Sequence, residues 1–599
     1  MLLVYSSLDR ASDEIRIFHL GPGQRDDQIS GKLEVYPFES SPPYEALSYC
    51  WGSLLMPVDI SINEQTFSLH RNLYDALRFL RYTDTTRTLW IDAICIDQSD
   101  QQERLHQVKI MADIYLCATT VLVWLGPPSE GSDKVMDLIR ETAAEFEPKS
   151  YKQREHFDTL APHAADLLQL LHRDYWFRVW IVQEVAMART DPVVGCGSKW
   201  LPWSLMSDGL LEIRARFRWR ASETYDVEER TLCYHCHAVL GGFFDLKEIR
   251  ESVKPGMAYD YPHPLGTKTN ALDLLWRTSD KHSTEPRDRV YSLLGMLRSL
   301  QSGDIIVPEL DPDYSRSVRS VFIMATKMII RLDRNLEILH MRNHLPSAFL
   351  PSWTPDFSSR THTTYPALAG TTWGFWFRRI GCVYKTKQIA FKRSELPTMD
   401  DQDMLVVGGR HFDVVARIVD LSDFLTFPHL TIQRVDQTVE RYENCGTTSG
   451  QHDSPYTLEA VWRTLVANTG WASEYPCSID YGPAFCKLRT GSSLEEMEPG
   501  DVHNSGIEGF IANVEVTISS GEAGPYRTFI VTERGRFGLA PPDCNVGDHL
   551  CTLKNFSTPA ILRYYGSYHA YVGTAYVHDV MHGEGYADLR DDPEHFHLL

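Results

Sequence analysis

The chain has 599 residues, of which 43% are hydrophobic and 23% charged, a composition typical of a soluble globular protein with roughly two to four domains. Its formal net charge is −21, from 80 acidic and 59 basic residues, which argues against a general nucleic-acid-binding protein because such proteins neutralise phosphates with Lys and Arg. The start MLLVYSSLDR lacks the features of a signal peptide, no apolar run is long enough to span a membrane, and the 12 cysteines are dispersed, so we expect a reducing, cytoplasmic protein.

The first 200 residues alternate between strand-like and helix-like segments. Apolar runs predict strands at 46–49, 88–96 and 119–125. Between them, helical spacing predicts a helix at 73–81 with Asn72 as its N-cap, and a second helix after the capping-box pattern of Ser99–Gln102. This β-α-β-α-β order, with nearly continuous apolar strands, predicts a parallel sheet that is covered by helices on both faces.

A polar insertion is predicted after the third strand, at 129–157, followed by helices at 164–173 and 175–188. In the last of these helices Trp180 and Glu184 lie one turn apart and share a face.

Three regions follow from the patterns along the chain. We predict an α/β domain at 1–200, a mainly helical region at 201–345 and an α+β region at 346–599, in which short strand-like runs alternate with turns from 507 to 588.

Polar and aromatic residues follow the predicted strands, where ligands bind in open parallel sheets. The residues expected at these strand ends are Tyr49, Cys50, Trp51, Gly52, Asp92, Cys95, Asp97, Gln98, Trp124 and Gly126. One interpretation is that they line a ligand cleft. The other is structural, with Asp97 capping a turn and Asp92 hydrogen-bonded within the fold.

Glu184 is the single acidic residue of the apolar segment 178-RVWIVQEVAMA-188. A structural interpretation pairs its carboxylate with an arginine, Arg178 or Arg189. A functional interpretation places it at the wall of a cleft beside the Trp180 ring, where burial raises its pKa and a cationic or hydroxyl-bearing ligand favours its charged form. The residues alone leave both interpretations open.

Cys233, His235, Cys236 and His237 offer soft metal ligands within five positions. Residues so crowded do not readily surround one tetrahedral ion, and no second pair stands at suitable spacing. We therefore predict no metal site.

Four blocks, 44-YEALSYCWGS-53, 89-LWIDAICIDQ-98, 121-VLVWLG-126 and the segment at 178–188, together resemble the heterokaryon-incompatibility (HET) domain of filamentous fungi. Later blocks resemble large fungal HET proteins, and these are 285-EPRDRVYSLLGM-296, 311-DPDYSRSV-318, 350-LPSWTPDFS-358, 536-RFGLAPP-542 and 576-YVHDVMHGE-584. The resemblance implies a role in nonself recognition and programmed cell death.

The HET domain is in turn remotely similar to the TIR domain, which implies a TIR- or flavodoxin-like sheet. Trp180 and Glu184 match a W-x-x-x-E-like pattern whose Glu is catalytic in TIR domains that consume NAD. The resemblance thus implies Glu184 as the catalytic residue and NAD or a related nucleotide as substrate, with no metal or other cofactor. The residues that would bind this nucleotide are Ser48, Tyr49, Trp51, Gly52, Asp92, Asp97, Gln98 and Trp180.

Two alternatives remain at this point. The domain is a non-catalytic signalling module that works by self-association or through an incompatibility partner, or it is a HET-like fold recruited to a fungal secondary-metabolite pathway.

Overall fold

The computed structural model describes residues 4–52, 57–144, 160–223, 227–253, 271–300, 311–342, 349–358, 398–399, 403–444, 458–467, 477, 479, 481–490, 507–518, 526–581 and 594–599. The chain divides into two compact units. The first covers Met1–Val318, and the second covers Arg319–Tyr365 and Ala369–Leu599. The boundaries predicted at residues 200 and 345 stay a prediction.

A nine-stranded mixed sheet forms the centre of the first unit. Its strands are β1 (Glu14–Leu20), β2 (Ser30–Pro37), β3 (Glu45–Tyr49), β4 (Val58–Ile62), β5 (Gln65–Leu69), β6 (Arg87–Trp90), β7 (Thr120–Trp124), β8 (Val193–Cys196) and β9 (Lys199–Pro202). They are arranged in the order β5-β4-β2-β1-β6-β3-β7-β8-β9.

The four strands β6, β3, β7 and β8 are parallel and adjacent. The three strands predicted from the apolar runs are therefore neighbours in a parallel core. The whole sheet is mixed rather than parallel, because β1 pairs antiparallel with both β2 and β6, and antiparallel pairs also join β4 to β5 and β8 to β9.

The helices of the first unit alternate with its strands between β5 and β8, and the later ones follow β9 in the chain. They are α1 (Arg71–Leu80), α2 (Asp92–Cys95), α3 (Gln101–Cys117), α4 (Ser132–Ala144), α5 (Ala164–Leu171), α6 (Trp180–Met187), α7 (Trp203–Glu223), α8 (Val227–Val253), α9 (Ala271–Arg277), α10 (Asp288–Tyr291) and α11 (Leu294–Leu300). Short 3-10 helices occupy Arg10–Ser12, Phe38–Ser40, Ala161–His163 and Asp174–Phe177.

The predicted strand at 88–96 is wrong beyond Trp90, where β6 ends and the single helical turn α2 begins. The amide of Cys95 donates to the carbonyl of Ile91 at 2.7 Å, which closes this turn. A short apolar run does not distinguish a buried strand from a buried helical turn. The turn matters because it places Asp92 at its first residue.

Two predicted helix caps are also wrong. His70, not Asn72, is the N-cap of α1, and Asn72 lies in the first turn with its side chain bonded to other elements. Asp100, not Ser99, caps α3 by accepting from the amides of Gln102 and Glu103. The helix at 164–173 is confirmed as α5, whereas the helix predicted from Tyr175 begins only at Trp180, after a 3-10 turn.

The second unit contains helices and a second nine-stranded sheet. Its helices are α12 (Val318–Asp333), α13 (Pro428–Asn444), α14 (Leu458–Leu465), α15 (Tyr481–Arg489) and α16 (Ile507–Ile518), with a 3-10 helix at Glu337–Met341. Its strands are β10 (Thr398–Met399), β11 (Leu405–Asp420), β12 (Thr528–Thr532), β13 (Phe537–Ala540), β14 (His549–Leu553), β15 (Ala560–Tyr565), β16 (Tyr568–Thr574), β17 (Tyr576–Val577) and β18 (Glu594–Leu598).

The long strand β11 pairs in turn with β18, β14 and β12, so that β11, β14, β15, β16 and β18 close into a ring. The prediction of short strands is confirmed from Thr528 onward. It is wrong at Ile507–Ile518, which is the helix α16 despite its β-branched residues, because its apolar side chains pack into a helix-lined core. Within the described ranges, no helix is both long and apolar enough to cross a membrane.

Candidate functional site

The candidate site lies at the carboxyl end of β3. In the chain β3 comes before β6 and β7, yet in the sheet it lies between them. The order of the parallel strands therefore reverses at β3, and ligands of open α/β sheets bind in the crevice beside such a reversal. This end of β3 supplies Ser48 and Tyr49, and Trp51 and Gly52 follow directly.

Glu184 lies on α6 and its carboxylate reaches β3. The hydroxyl of Ser48 donates a hydrogen bond to Oε2 of Glu184 and also pairs with the hydroxyl of Tyr175 at 2.8 Å. Ser48 and Tyr175 are buried, and Glu184 is only 2% exposed. The expectation that this carboxylate lies at an open cleft wall is therefore wrong: Glu184 lies in the interior, in a chain of hydrogen bonds with Ser48 and Tyr175.

The charge of Glu184 depends on its surroundings. Burial raises the pKa of Glu184 to about 7, although the nearby Arg178 guanidinium and the Ser48 hydrogen bond work to lower it. The negative charge of Asp92 raises it further. Near neutral pH the side chain thus exists in both protonation states, as suits a group that exchanges protons or stabilises a transient positive charge.

Asp92 is the second carboxylate of the site. Its Oδ2 accepts from the indole N–H of Trp51 at 2.8 Å and its Oδ1 accepts from the Ala93 amide at 2.7 Å. Burial raises the pKa of Asp92, against the effects of Arg178, these two hydrogen bonds and a third from Tyr49. Both Asp92 and Trp51 nevertheless remain partly exposed.

Within the described part of the chain, the Arg178 guanidinium opposes the charge of both acids. Burial works to lower the pKa of Arg178, but the carboxylates of Glu184 and Asp92 outweigh this effect and raise it. Arg178 is also partly exposed. The described site therefore places one guanidinium within electrostatic range of two desolvated carboxylates.

Of the other predicted site residues, Gln98 bonds to Asp92, whereas Asp97 and Trp180 bond elsewhere. Gln98 supports Asp92, since its side-chain amide donates to the Asp92 carbonyl at 3.0 Å. Asp97 instead bonds the amide and hydroxyl of Ser99, at 2.9 and 2.6 Å, as the structural interpretation predicts. The indole of Trp180 donates to Oδ2 of Asp288 at 3.1 Å.

Glycine is required at position 52, where the backbone φ is +76°, a left-handed conformation that other residues rarely adopt. The same residue ends the Cys50-Trp51-Gly52 segment from which the Trp51 indole reaches Asp92. Gly52 thus shapes the backbone of the site.

Sequence reasoning missed the part that Tyr175 and Asp288 have in fixing the site, and it considered Arg178 only as an ion-pair partner. Tyr175 lies just before α6 and Asp288 lies within the block at 285–296. Nothing in their local patterns indicates that they meet β3 or α6, because both contacts depend on long-range packing.

Metal-ligating clusters of three or more His, Cys, Asp or Glu are absent from the part of the chain that the structure describes. Cys233 and Cys236 are buried on the long helix α8. The site at β3 thus consists of carboxylates, a guanidinium, hydroxyl groups and an indole.

Comparison with known proteins identifies the domain that contains this site. Residues 44–184 match the family model of the heterokaryon incompatibility protein (HET). This part of the chain is similar to a HET domain. The match begins just before β3 and ends at Glu184, so it contains every predicted site residue.

The chain is also similar to a curated protein. The chain is 28% identical over 421 residues to "Heterokaryon incompatibility protein 6, OR allele" of Neurospora crassa, an alignment that covers 60% of this chain and 60% of the relative. The chain thus spans about three fifths of the length of that relative. No solved structure gives a significant match to the chain.

Proposed function

We propose that this chain acts in fungal nonself recognition and that its HET domain contributes to programmed cell death by cleaving the N-glycosidic bond of NAD or a related nucleotide. The observation that carries the proposal is that two carboxylates bond to residues at the carboxyl end of β3, Glu184 to Ser48 and Asp92 to Trp51. The name of the Neurospora relative supports the biological role.

The strand order supports a TIR-like origin for the domain. Numbered along the chain, the parallel strands β3, β6, β7 and β8 lie in the order second, first, third, fourth, which is the order at the start of flavodoxin-like sheets. In this arrangement the reversal point beside β3 is where a nucleotide is expected. Fold alone does not establish an activity, so the proposal depends on the chemistry of the site.

The chemistry suits cleavage of the bond between nicotinamide and ribose. This bond breaks through a cationic, oxocarbenium-like sugar, which a carboxylate stabilises. Two desolvated carboxylates against one guanidinium leave the site with an excess of negative charge whenever both acids are ionised. Water then adds to the sugar and releases a proton, while nicotinamide leaves as a neutral molecule and needs no general acid.

Within this proposal, the partly exposed residues and the buried residues have different roles. Trp51 and Asp92 are partly exposed, so an entering nucleotide meets them first, and the indole offers a surface on which a planar ring can stack. Glu184 is the buried carboxylate that stabilises the charge on the sugar, and Ser48 orients it.

A second candidate function is a non-catalytic module that acts by self-association. The burial of Glu184 favours it, because Ser48 and Arg178 already give this carboxylate a hydrogen bond and an opposite charge. In this case Glu184 serves to hold α6 against β3, and the incompatibility reaction does not depend on its charge.

Purified full-length chain incubated with NAD distinguishes the two functions. The protein concentration must be varied widely, because assembly can gate the activity. We expect nicotinamide to appear, and we expect its rate of release per protein molecule to depend on protein concentration. Absence of nicotinamide at every concentration, in a protein shown to be folded, favours the non-catalytic module.

A further inference from the structure

Helix α6 carries Glu184 as its fifth residue, and it is held by side chains and backbone groups that come later in the chain. At its start the amide of Val179 donates to the carbonyl of His282 at 3.0 Å, and the Trp180 indole donates to Asp288. In its middle the side-chain oxygen of Gln183 accepts from the amide of Gly295 at 3.2 Å. The residues that hold α6 in this way, which we call its anchors, lie outside the HET match at 44–184.

The strongest anchor is at the end of α6. Arg250, from α8, donates through Nη1 to the carbonyls of Val185 and Ala188 at 2.6 and 2.8 Å, and through Nη2 to that of Thr190 at 2.7 Å. The last carbonyls of a helix lack partners within the helix and carry partial negative charge, so a cation is favoured there. Arg250 is only 3% exposed.

Arg250 keeps its charge in this position. Burial lowers its pKa to about 10, and the charges of Asp191 and Glu251 work in the opposite direction. The guanidinium is therefore cationic at neutral pH, and its planar fork reaches carbonyls on two sides, which a single ammonium group does not do.

Close packing leaves little room for α6 to shift. A methyl group added at Gly295 would lie 2.3 Å from Cβ of Ala112 and 2.7 Å from the side-chain oxygen of Gln183. One of the carbonyls that Arg250 binds belongs to Val185, the residue next to Glu184. A displacement of α6 by about one ångström exceeds the range over which a hydrogen bond such as that from Ser48 to Glu184 survives.

We propose that Arg250 is a positioning residue for Glu184: it fixes the end of α6 and so sets the distance between the Glu184 carboxylate and Ser48. It follows that α8 belongs to the functional site, although it lies beyond the residues that define the HET domain. The effect on catalysis depends on the proposed function, whereas the anchoring itself does not.

Arg250→Lys tests the proposal in the full-length chain, and Arg81→Lys is its matched control. Arg81 is likewise buried and donates to three carbonyls, those of Gln24, Asp27 and Gln28 at 3.1, 3.1 and 2.7 Å, but none of them is in α6. Hydrogen exchange is measured over residues 180–188. We expect Arg250→Lys to speed exchange there about tenfold and Arg81→Lys to leave it unchanged.

Nicotinamide release gives the second measurement. We expect Arg250→Lys to lower kcat about tenfold with KM changed less than about twofold, because the lost interaction acts on the carboxylate rather than on nucleotide binding. Unchanged exchange in α6 overturns the anchoring, and faster exchange with unchanged kcat overturns the catalytic consequence. Faster exchange in a chain whose wild type releases no nicotinamide supports the anchoring and contradicts the proposed function.

Discussion

The protonation state of Glu184 links the stability of the fold to pH. Burial, as the largest influence, raises its pKa from 4.5 to about 7. Between these two values the folded protein keeps the proton and the unfolded chain releases it. The free energy of unfolding therefore falls as pH rises through this window, by up to about 3 kcal/mol from this group alone.

Glu184→Gln removes this dependence. We expect the difference in unfolding free energy between the two proteins to change from pH 5 to pH 8 by up to about 3 kcal/mol, in favour of the variant. This change does not depend on the absolute stability of the variant. Urea unfolding of both proteins at the two pH values measures the difference. If the two proteins differ in unfolding free energy by the same amount at both pH values, the pKa of the Glu184 carboxylate is not raised by folding.

Arg178 balances two acids, and its removal leaves both without an opposite charge. We expect Arg178→Gln to lower the free energy of unfolding by about 3 kcal/mol or more, as for other buried charges that lose their partner. Asp92→Asn, added to this variant, should restore part of the loss because one of the stranded charges is gone. A double-mutant cycle measured by urea unfolding checks the coupling, and strictly additive effects would contradict it.

At the residue scale the sequence predicted part of the site but not how deeply Glu184 lies. Tyr49, Trp51 and Asp92 were expected at strand ends and are found there, whereas Asp97 bonds Ser99. The burial of Glu184 depends on Tyr175 and on helices far along the chain, so no local pattern contains it.

At the scale of elements, Asn72 joins a helix to two strands. Its side-chain amide donates to the Cys50 carbonyl at 2.6 Å, after β3, and its oxygen accepts from the indole of Trp124 at 3.1 Å, at the end of β7. The start of α1 is thus connected to the sheet directly beside the candidate site.

Asn72→Ala leaves both of these groups without this partner. We expect a loss of about 1–3 kcal/mol in unfolding free energy, because an unpartnered buried polar group keeps its desolvation cost. Arg71→Ala is the control on the same helix, since Arg71 is exposed, pairs with Asp75 and lies over the Tyr74 ring, and we expect about 0.5 kcal/mol or less there. Thermal unfolding of the two variants measures both losses of unfolding free energy, and equal losses would contradict the role of Asn72.

Elements with a clear apolar pattern were predictable: α1 and α5 have one buried face, β3 and β7 are apolar throughout, and all four were expected close to their true ends. The turn α2 and the start of α6 were not, because short apolar segments suit a strand, a 3-10 turn or a helix equally well until neighbouring elements select one. The observed helix caps lie one or two residues from the predicted ones for a similar reason. Asn and Asp side chains serve equally well as caps or as links to other elements.

At the scale of the whole molecule, the chain forms two compact units, each with its own buried core. The parallel centre of the first unit was predictable from its apolar strands. The ring of strands in the second unit was not, because β11 is separated from its partners β14 and β18 by more than a hundred residues of chain, and register over such distances leaves no local trace.

Two units with separate cores are expected to unfold in separate transitions. Leu77→Ala, in the core of the first unit, should cost about 2–5 kcal/mol and lower the midpoint of only one transition. Phe529→Ala, in the core of the second unit, should lower only the other. Scanning calorimetry of both variants tests this, and a shift of the whole profile by either substitution would show one cooperative unit.

The central claim is that the Glu184 carboxylate serves chemistry rather than packing alone, and NAD cleavage by Glu184→Gln tests it most directly. Glutamine keeps the size of the side chain but removes its charge. Glu337→Gln is the matched control, since Glu337 is likewise buried and accepts from a serine hydroxyl, that of Ser557 at 2.8 Å, but belongs to the second unit. With all proteins shown to be folded, we expect nicotinamide release by the wild type and by Glu337→Gln, and at least about a hundredfold less by Glu184→Gln. Equal release by Glu184→Gln and the wild type would contradict the account.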